Sequence, residues 1–233
     1  MTKIGIMQPY FLPYLGYWQL IKSVDTFVLY DTVQYTKKGW MTRNRYLLNG
    51  KDEMFSLSVK RASSELDVVD RELADDFDRG KLLRILGGAY SKAPYFKQNF
   101  PLIEEIVQCP WNNLFSYIEH SIYKVCEALE ITTPIVKSSD LKQCSRTLKG
   151  PDRVMDICLE LGADEYINPI GGLDLYKRDL FLQGGINLKF LRSSPMTYLC
   201  FGQRCIPHMS IVDLMMFNSL DRIAAELNRF SLE

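Results

Sequence analysis

The chain has 233 residues, of which 47% are hydrophobic and 24% are charged, so it can bury a substantial core and needs no more than one domain. Basic and acidic residues balance at 28 each, so no overall positive field indicates nucleic acid or an anionic membrane surface as a partner. The apolar stretches are far shorter than the roughly 20 residues of a membrane span, and the N-terminus lacks a secretory signal pattern. We therefore expect a cytoplasmic protein without a membrane span.

Cysteine and histidine usage indicates neither a disulfide framework nor a metal site. The cysteines carry no CxxC pair, and only two histidines are present. Scattered cysteines of this kind favour reduced thiols in a cytosolic protein. We expect Cys200 and Cys205 to pack as ordinary side chains, because no neighbouring group activates them. The full set is Cys109, Cys126, Cys144, Cys158, Cys200 and Cys205.

The first thirty residues carry the pattern of a βαβ unit. Residues 3–7 form a short apolar run, residues 15–23 carry apolar side chains at helical spacing, and residues 26–31 are β-branched and aromatic. Strand, helix and strand within about thirty residues are typical of a parallel pair with a right-handed crossover. A β-hairpin is predicted next, because Asn49-Gly50 separates two strand-like segments.

The rest of the chain is predicted to be helical in its middle and mixed toward its end. Residues 64–80 are polar and acidic, as in a loop with a short helix, and helical apolar spacing fills most of residues 80–130. Helix and strand patterns then alternate over residues 151–168 and again over residues 177–194. Ser210 and Asp213 have the spacing of a capping box and should begin a C-terminal helix.

These elements predict a single α/β domain over residues 1–233. Its core would be a Rossmann-like parallel sheet flanked by helices, with the helix-rich middle as an insertion. In such sheets, ligands bind beyond the carboxyl ends of the strands, near a reversal of strand order. The segments that follow the strands are therefore the places to search for a site.

The first such segment reads QPYFLPYLGYWQL, residues 8–20. Pro9 and Pro13 make it a stiff, extended loop, and Gly16 allows close approach to a helix N-terminus that favours an anion such as phosphate. Packing of the tyrosines against neighbouring helices is the alternative. The substrate-binding candidates in this segment are Gln8, Tyr10, Tyr14, Gly16 and Tyr17.

The second segment follows the second strand and is rich in cations and amides. Guanidinium groups bind phosphate and carboxylate bidentately, and Trp40 or Tyr35 could stack on a base or a sugar ring. For Lys38 taken alone, an exposed basic hairpin start is the alternative. The candidates in this segment are Asp31, Gln34, Lys38, Trp40, Arg43, Asn44 and Arg45.

Two residues are candidates for catalysis. His208 precedes the predicted C-terminal helix in a loop, where an imidazole could act as a general base near working pH. Asp31 is the second candidate base, because it stands at the carboxyl end of a predicted strand. A structural or simply exposed role is the alternative for the histidine. The segment NPIGG, residues 168–172, offers a flexible backbone near the same sheet edge.

Several segments together resemble the WbqC-like protein family. They are IMQPYFLPYLGYWQLI, VDTFVLYDTVQYTKKGWMTRNRYL and, late in the chain, GADEYINPIGG, FLQGGINLKFL and HMSIVDLMMFNS. Members of that family are encoded in O-antigen gene clusters, and some carry the label glycine transferase. The resemblance implies transfer of an acyl or aminoacyl group, glycyl being one option, to the amine of a nucleotide-linked amino sugar. It leaves the acyl donor open, a carrier-protein-bound donor included.

The start of the chain also resembles, more distantly, the HUP-type nucleotidylyltransferases such as pantothenate synthetase. In those enzymes an HxGH motif opens the first helix and holds ATP phosphates. Here Gly16 is kept, but Tyr14 and Tyr17 replace both histidines, and tyrosine cannot carry the positive charge that histidine can. The resemblance therefore disfavours ATP as a cofactor. An ATP-dependent amide ligase and a non-catalytic module that binds a nucleotide sugar or a carrier protein are the alternatives.

Overall fold

The computed structural model describes residues 1–142 and 147–233. The strands are β1 (Lys3–Met7), β2 (Thr26–Leu29), β3 (Arg43–Leu48), β4 (Lys51–Ser56), β5 (Ile135–Lys137), β6 (Glu165–Pro169), β7 (Asn187–Ser193), β8 (Leu199–Cys200), β9 (Gln203–Arg204) and β10 (Phe230–Leu232). The helices are α1 (Leu15–Lys22), α2 (Arg79–Tyr90), α3 (Phe96–Gln108), α4 (Leu114–Ala128), α5 (Gly150–Glu160), α6 (Arg178–Gln183), α7 (Ile211–Phe217) and α8 (Leu220–Glu226).

The central sheet has the strand order β10-β7-β6-β1-β2-β5. All neighbouring pairs are parallel except β7 with β10, which is antiparallel. From β1 the chain builds outward through β2 and β5 on one side, and then through β6 and β7 on the other. The order therefore reverses between β1 and β6, as in dinucleotide-binding sheets. The predicted Rossmann-like α/β fold is confirmed.

Both faces of the sheet are buried. Because successive side chains of a strand point to opposite faces, Phe27 and Leu29 belong to one apolar cluster, whereas Val28 between them belongs to another. The first cluster contains Trp18 of α1 and the apolar faces of α2, α3 and α4. The second contains Ile157 of α5. This two-sided burial accounts for the nearly continuous apolar runs of β1 and β2.

The hairpin of β3 and β4 forms a small sheet of its own. Asn49 and Gly50 both have positive φ, 51° and 78°, as a two-residue turn that matches the strand twist requires. The hairpin is tied to α2, because the Leu47 N–H donates to the Tyr90 hydroxyl at 2.9 Å. Both the predicted turn and the helical middle of the chain are thus confirmed, while the single-domain assignment stays a prediction.

Two features near the C-terminus differ from the prediction. The predicted C-terminal helix, α7, ends at Phe217 and is followed by a further helix, α8. The strand β10 then pairs with β7 at the sheet edge. Cys200 and Cys205 form a disulfide with Cα atoms 5.2 Å apart, so the expectation of reduced thiols is wrong for this pair. In the hairpin of β8 and β9, Cys200 pairs with Gln203, and Cys205 follows directly after β9.

The remaining cysteines fit the sequence-based expectation where the structure describes them. Cys109, Cys126 and Cys158 are free and buried, and burial raises the pKa of the Cys109 and Cys126 thiols. Cys144 lies outside the described residues. Over residues 1–142 and 147–233, no helix combines the length and apolarity needed to cross a bilayer.

Candidate functional site

Hydrogen bonds to its carbonyl groups fix the loop that follows β1. The Leu12 carbonyl accepts from Asn44 Nδ2 at 2.8 Å and from Ser210 Oγ at 2.7 Å. The Pro13 carbonyl accepts from Trp18 Nε1 at 3.1 Å. Leu12 itself has a φ of 47°, a conformation that costs energy for a branched residue and persists only when neighbours enforce it. The loop is therefore held rigidly between β3, α1 and α7.

The ring of Tyr14 covers the start of α1. A Cβ atom on Gly16 would lie 2.5 Å from that ring, so the absent side chain makes room for Tyr14. The same ring meets the imidazole of His208 edge-on, with ring centroids 5.7 Å apart. Gly16 thus makes room for the Tyr14 ring, and this ring blocks access of a phosphate to the start of α1.

One pocket gathers six of the predicted site residues, together with Pro13. Its volume is about 250 Å³, slightly below the roughly 300–1,000 Å³ of most ligand pockets. A single ring system, such as a sugar or a base, therefore fits better than a whole nucleotide sugar. Trp40 supplies an open wall, since 46% of its surface is exposed. The six residues are Tyr10, Tyr14, Trp40, Asn44, Arg45 and His208.

Arg45 lines the pocket but is already bound to protein groups. Its Nη2 donates to the Pro207 and His208 carbonyls at 3.2 and 2.9 Å, and its Nη1 pairs with Asp52 at 3.2 Å. Arg45 thus positions the His208 loop, whose histidine has a φ of 58°. The amide of the neighbouring Asn44 is also engaged, because its Nδ2 donates to the Leu12 carbonyl in the loop after β1.

Arg43 is also engaged. Its Nη2 donates to the Lys38 carbonyl, and its guanidinium lies over the Trp40 ring, 5.6 Å from the centroid. This cation–π contact orients the tryptophan. Lys38 is exposed and Gln34 donates to the Ser64 carbonyl at 2.7 Å. None of these three residues lines the pocket of Trp40 and His208.

Gln8 and Tyr17 lie behind the pocket rather than in it. The Tyr17 hydroxyl donates to the Gln8 carbonyl at 3.0 Å, and the Tyr17 ring is buried. The Gln8 amide oxygen accepts from the Tyr10 hydroxyl at 3.4 Å. Because Tyr10 lines the pocket, Gln8 connects the pocket to the carboxyl end of β1.

Asp31 lies away from the Trp40 pocket, between the ends of β2 and β5. It is fully buried and accepts from Ser138 Oγ at 2.7 Å, from the Ser139 N–H at 2.9 Å and from Ser139 Oγ at 2.6 Å. The carboxylate thereby joins the ends of β2 and β5. It does not line the pocket of Trp40, so the imidazole is the better-placed base of the two candidates.

The pocket phenols are donors rather than bases. Burial, with a smaller effect of Tyr14, raises the pKa of Tyr10 to about 12. Burial also raises the pKa of Tyr14 and places that of Tyr17 well above its usual range. All three hydroxyls therefore stay neutral at physiological pH and can only donate or accept hydrogen bonds. His208 is exposed and carries the pocket's imidazole.

Asp213, on α7, serves a purpose other than the predicted capping box. The helix does begin after Ser210, whose Oγ accepts from the Val212 N–H at 3.3 Å, but the Ser210 N–H donates to the Arg45 carbonyl at 3.1 Å. The Asp213 carboxylate instead accepts from the Tyr90 and Tyr198 hydroxyls at 2.7 and 2.6 Å. The second half of the predicted box is therefore wrong.

Asp213 also lies beside the disulfide. Ligand atoms of Cys200, Cys205 and Asp213 are within 4.8 Å of one another, the spacing of a metal site. The disulfide leaves neither sulfur as the thiolate that a metal requires, and both carboxylate oxygens accept tyrosine hydroxyls. With the disulfide formed, this cluster is a structural junction.

Sequence reasoning missed polar residues at the carboxyl edge of the sheet. Arg153 lies beside Tyr30, which follows β2. One signal was present: Arg153 lies four residues before Ile157, on the apolar face of its helix. A charged residue on a buried face marks a functional or paired group.

The strand order defines a Rossmann-like α/β protein, and a small polar, aromatic pocket lies at the loop that follows β1. The chain belongs to the WbqC-like protein family, whose pattern matches residues 8–225. It is 28% identical over 170 residues to "Uncharacterized protein Rv1507c" of Mycobacterium tuberculosis, strain H37Rv, an alignment that covers 72% of each chain. No solved structure matches the chain.

Proposed function

We propose that this protein transfers an acyl or aminoacyl group, glycyl being one option, to the amine of a nucleotide-linked amino sugar in the synthesis of O-antigen or another surface polysaccharide. The observation that carries the proposal is the juxtaposition of an exposed imidazole, His208, with the open wall of Trp40 in one rigid pocket. The tryptophan offers a stacking surface to a sugar ring, and the imidazole can accept a proton from an amine held there. Family membership supports the proposal.

In the proposed reaction, the amine nitrogen attacks the carbonyl carbon of the acyl donor. A C–N bond forms, and the bond between the acyl group and its carrier breaks. His208 takes one proton from the nitrogen and returns it to the leaving group. Tyr10 and Tyr14 remain neutral and can donate to the sugar or to the developing oxyanion.

ATP is not part of the proposal. At the positions where the nucleotidylyltransferases carry histidines, Tyr14 covers the helix start and Tyr17 is buried with its hydroxyl on the Gln8 carbonyl. Neither group is free to hold a phosphate. Because nucleotide-linked sugars are the substrate class, the proposal places the reaction in the cytoplasm, where the Cys200–Cys205 disulfide would be unusual.

The test is turnover by the purified protein. UDP- and dTDP-linked amino sugars are incubated with free, thioester and carrier-protein-bound acyl donors, with and without ATP, and the products are analysed by mass spectrometry. We expect an N-acylated sugar nucleotide in the absence of ATP. Product only in the presence of ATP would establish the amide-ligase alternative. Sugar binding without product from any donor would instead establish a non-catalytic binding module.

A further inference from the structure

The hairpin of β8 and β9 carries two cysteines at a spacing that suits a metal ion. Residues 201–204 separate Cys200 from Cys205, and the turn between the strands is made by Phe201 and Gly202, whose φ values are 50° and 84°. Cysteines two to four residues apart are common in zinc sites. The Cα atoms of the two cysteines are 5.2 Å apart, so the turn already directs both side chains to one place.

A carboxylate lies beside the two sulfurs. Cys200 Sγ is 3.7 Å from Asp213 Oδ2, and ligand atoms of Cys200, Cys205 and Asp213 all lie within 4.8 Å of one another. Ligand atoms of one tetrahedral zinc ion stand roughly 3.5–3.8 Å apart, because Zn–S and Zn–O bonds measure about 2.3 and 2.0–2.2 Å. Asp213 is therefore already at a ligand's distance from Cys200, and binding requires only that the two sulfurs separate.

Hydrogen bonds hold this carboxylate in place. The Tyr90 hydroxyl donates to Asp213 Oδ1 at 2.7 Å, and the Tyr198 hydroxyl donates to Oδ2 at 2.6 Å. An ionised carboxylate has about four lone-pair sites, so these two bonds leave Oδ2 able to bind an ion as well. Metal-binding carboxylates are usually oriented by hydrogen bonds of this kind. The two tyrosines thus fix Asp213 as a ligand before the ion arrives.

The cluster is accessible from the side of the hairpin. Residues 201–204 are exposed and Cys205 is partly exposed, whereas Cys200 and Asp213 are buried. An ion can therefore enter over the hairpin without displacing the core. In a reducing compartment, a cysteine pair of this kind more often binds a metal than forms a disulfide. Thiolate ligands also select zinc over magnesium or calcium.

We propose that, once the disulfide is reduced, Cys200, Cys205 and Asp213 bind one Zn²⁺ ion. A dithiol reductant supplies two electrons and two protons to the S–S bond, which breaks to give two thiols while the reductant forms its own disulfide. The thiols release their protons as they bind the ion, and water completes the tetrahedron. Zinc binding requires no acyl transfer, so the inference stands independently of the proposed function.

Titration of the phosphine-reduced protein with Co²⁺ and then with Zn²⁺ tests this site. Cobalt reports thiolate ligation by a near-ultraviolet charge-transfer band and tetrahedral geometry by visible bands. We expect an equimolar amount of Co²⁺ to produce both signals and Zn²⁺ to abolish them. The oxidised protein, the control of identical sequence, should show neither. The inference is wrong if the reduced protein shows no thiolate band, if the oxidised protein binds equally, or if reduction unfolds the chain and zinc does not restore it.

Three variants locate the ion. Tyr198→Phe removes a hydrogen bond that orients the carboxylate and should weaken zinc binding by roughly ten- to a hundredfold. Cys205→Ser removes a ligand and should weaken it further. The matched control is Cys109→Ser, which replaces a free, buried cysteine and should leave zinc affinity unchanged. Wild-type affinity in a folded Cys205→Ser, or a loss confined to Cys109→Ser, would overturn the inference. If Cys205→Ser does not fold, unchanged affinity in Tyr198→Phe would do so.

Discussion

Replacing His208 with asparagine is expected to slow the proposed acyl transfer by roughly 100- to 10,000-fold, the usual contribution of a general base. Asparagine suits the test because it tolerates the left-handed backbone that this position adopts. The histidine side chain is exposed, and its ring meets Tyr14 edge-on, so the melting temperature should change little. Affinity for the nucleotide sugar should also stay within a few-fold, because the aromatic wall and the phenols remain.

The chain carries its own control for this experiment. Its other histidine, His120, lies on α4 in a separate cleft with Trp111 and Glu119, and His120→Asn should leave the transfer rate unchanged. Single-turnover rates at saturating sugar separate the chemical step from binding. A His208→Asn protein that transfers at the wild-type rate would show that another group removes the proton.

Replacing Asp213 with alanine is expected to lower the free energy of unfolding by about 3 kcal/mol. The carboxylate accepts both the Tyr90 and Tyr198 hydroxyls, and its removal leaves two buried donors unpaired at about 1–3 kcal/mol each. The network joins α2, α7 and the segment before β8, so its loss should also loosen the loop that carries His208. Urea unfolding monitored by circular dichroism measures the change.

The acid–base behaviour of Asp213 gives a second observable. Burial raises its pKa above the ordinary value of 3.8, against the effect of the two tyrosine hydrogen bonds. The folded protein thus holds this proton more tightly than the unfolded chain does. Its stabilising contribution is complete below pH 3.8 and declines as the pH rises toward the raised pKa. Between pH 3.8 and the raised pKa of Asp213, the free energy of unfolding of the wild type should therefore fall relative to that of Asp213→Asn.

An exposed aspartate provides the matched control for these measurements. Asp174 lies on the surface after β6, and Asp174→Ala should alter stability by no more than about 0.5 kcal/mol. Equal unfolding midpoints for Asp213→Ala and the wild type would mean that the tyrosine–aspartate network does not form in solution.

The parallel sheet could be predicted because its strands and turns carry local signals. β1 and β2 are short apolar runs separated by one helix, and Asn49-Gly50 meets a backbone requirement that few other pairs satisfy. The strands β8, β9 and β10 could not be predicted, because they have only two or three residues each. Such strands are too short to show an alternation of polar and apolar side chains. The Cys200–Cys205 disulfide was missed for the same reason, since its pairing depends on the unpredicted hairpin.

The grouping of several candidate residues in one pocket could be predicted from the sequence, whereas their roles stay predictions. Strand-end reasoning predicted Tyr10 and Trp40, and the loop before the predicted C-terminal helix gave His208; all three residues line one pocket. It could not show that the Arg45 guanidinium would donate hydrogen bonds to carbonyl groups of the His208 loop. Those contacts join residues about 160 positions apart in the chain. Nor could it connect Arg153 to Tyr30, which lie on different elements of the sheet edge.

The pocket is tested most directly by measuring nucleotide-sugar affinity in two tryptophan variants. Trp40 and Trp111 are similarly exposed, at 46% and 53%, but only Trp40 lines the pocket of His208. Stacking on an aromatic ring contributes about 1–3 kcal/mol, so Trp40→Ala should weaken binding of a UDP- or dTDP-linked amino sugar by roughly ten- to a hundredfold. Trp111→Ala should bind as the wild type does. Equal affinities for wild type and Trp40→Ala, or a loss confined to Trp111→Ala, would contradict the assignment of this pocket as the sugar site.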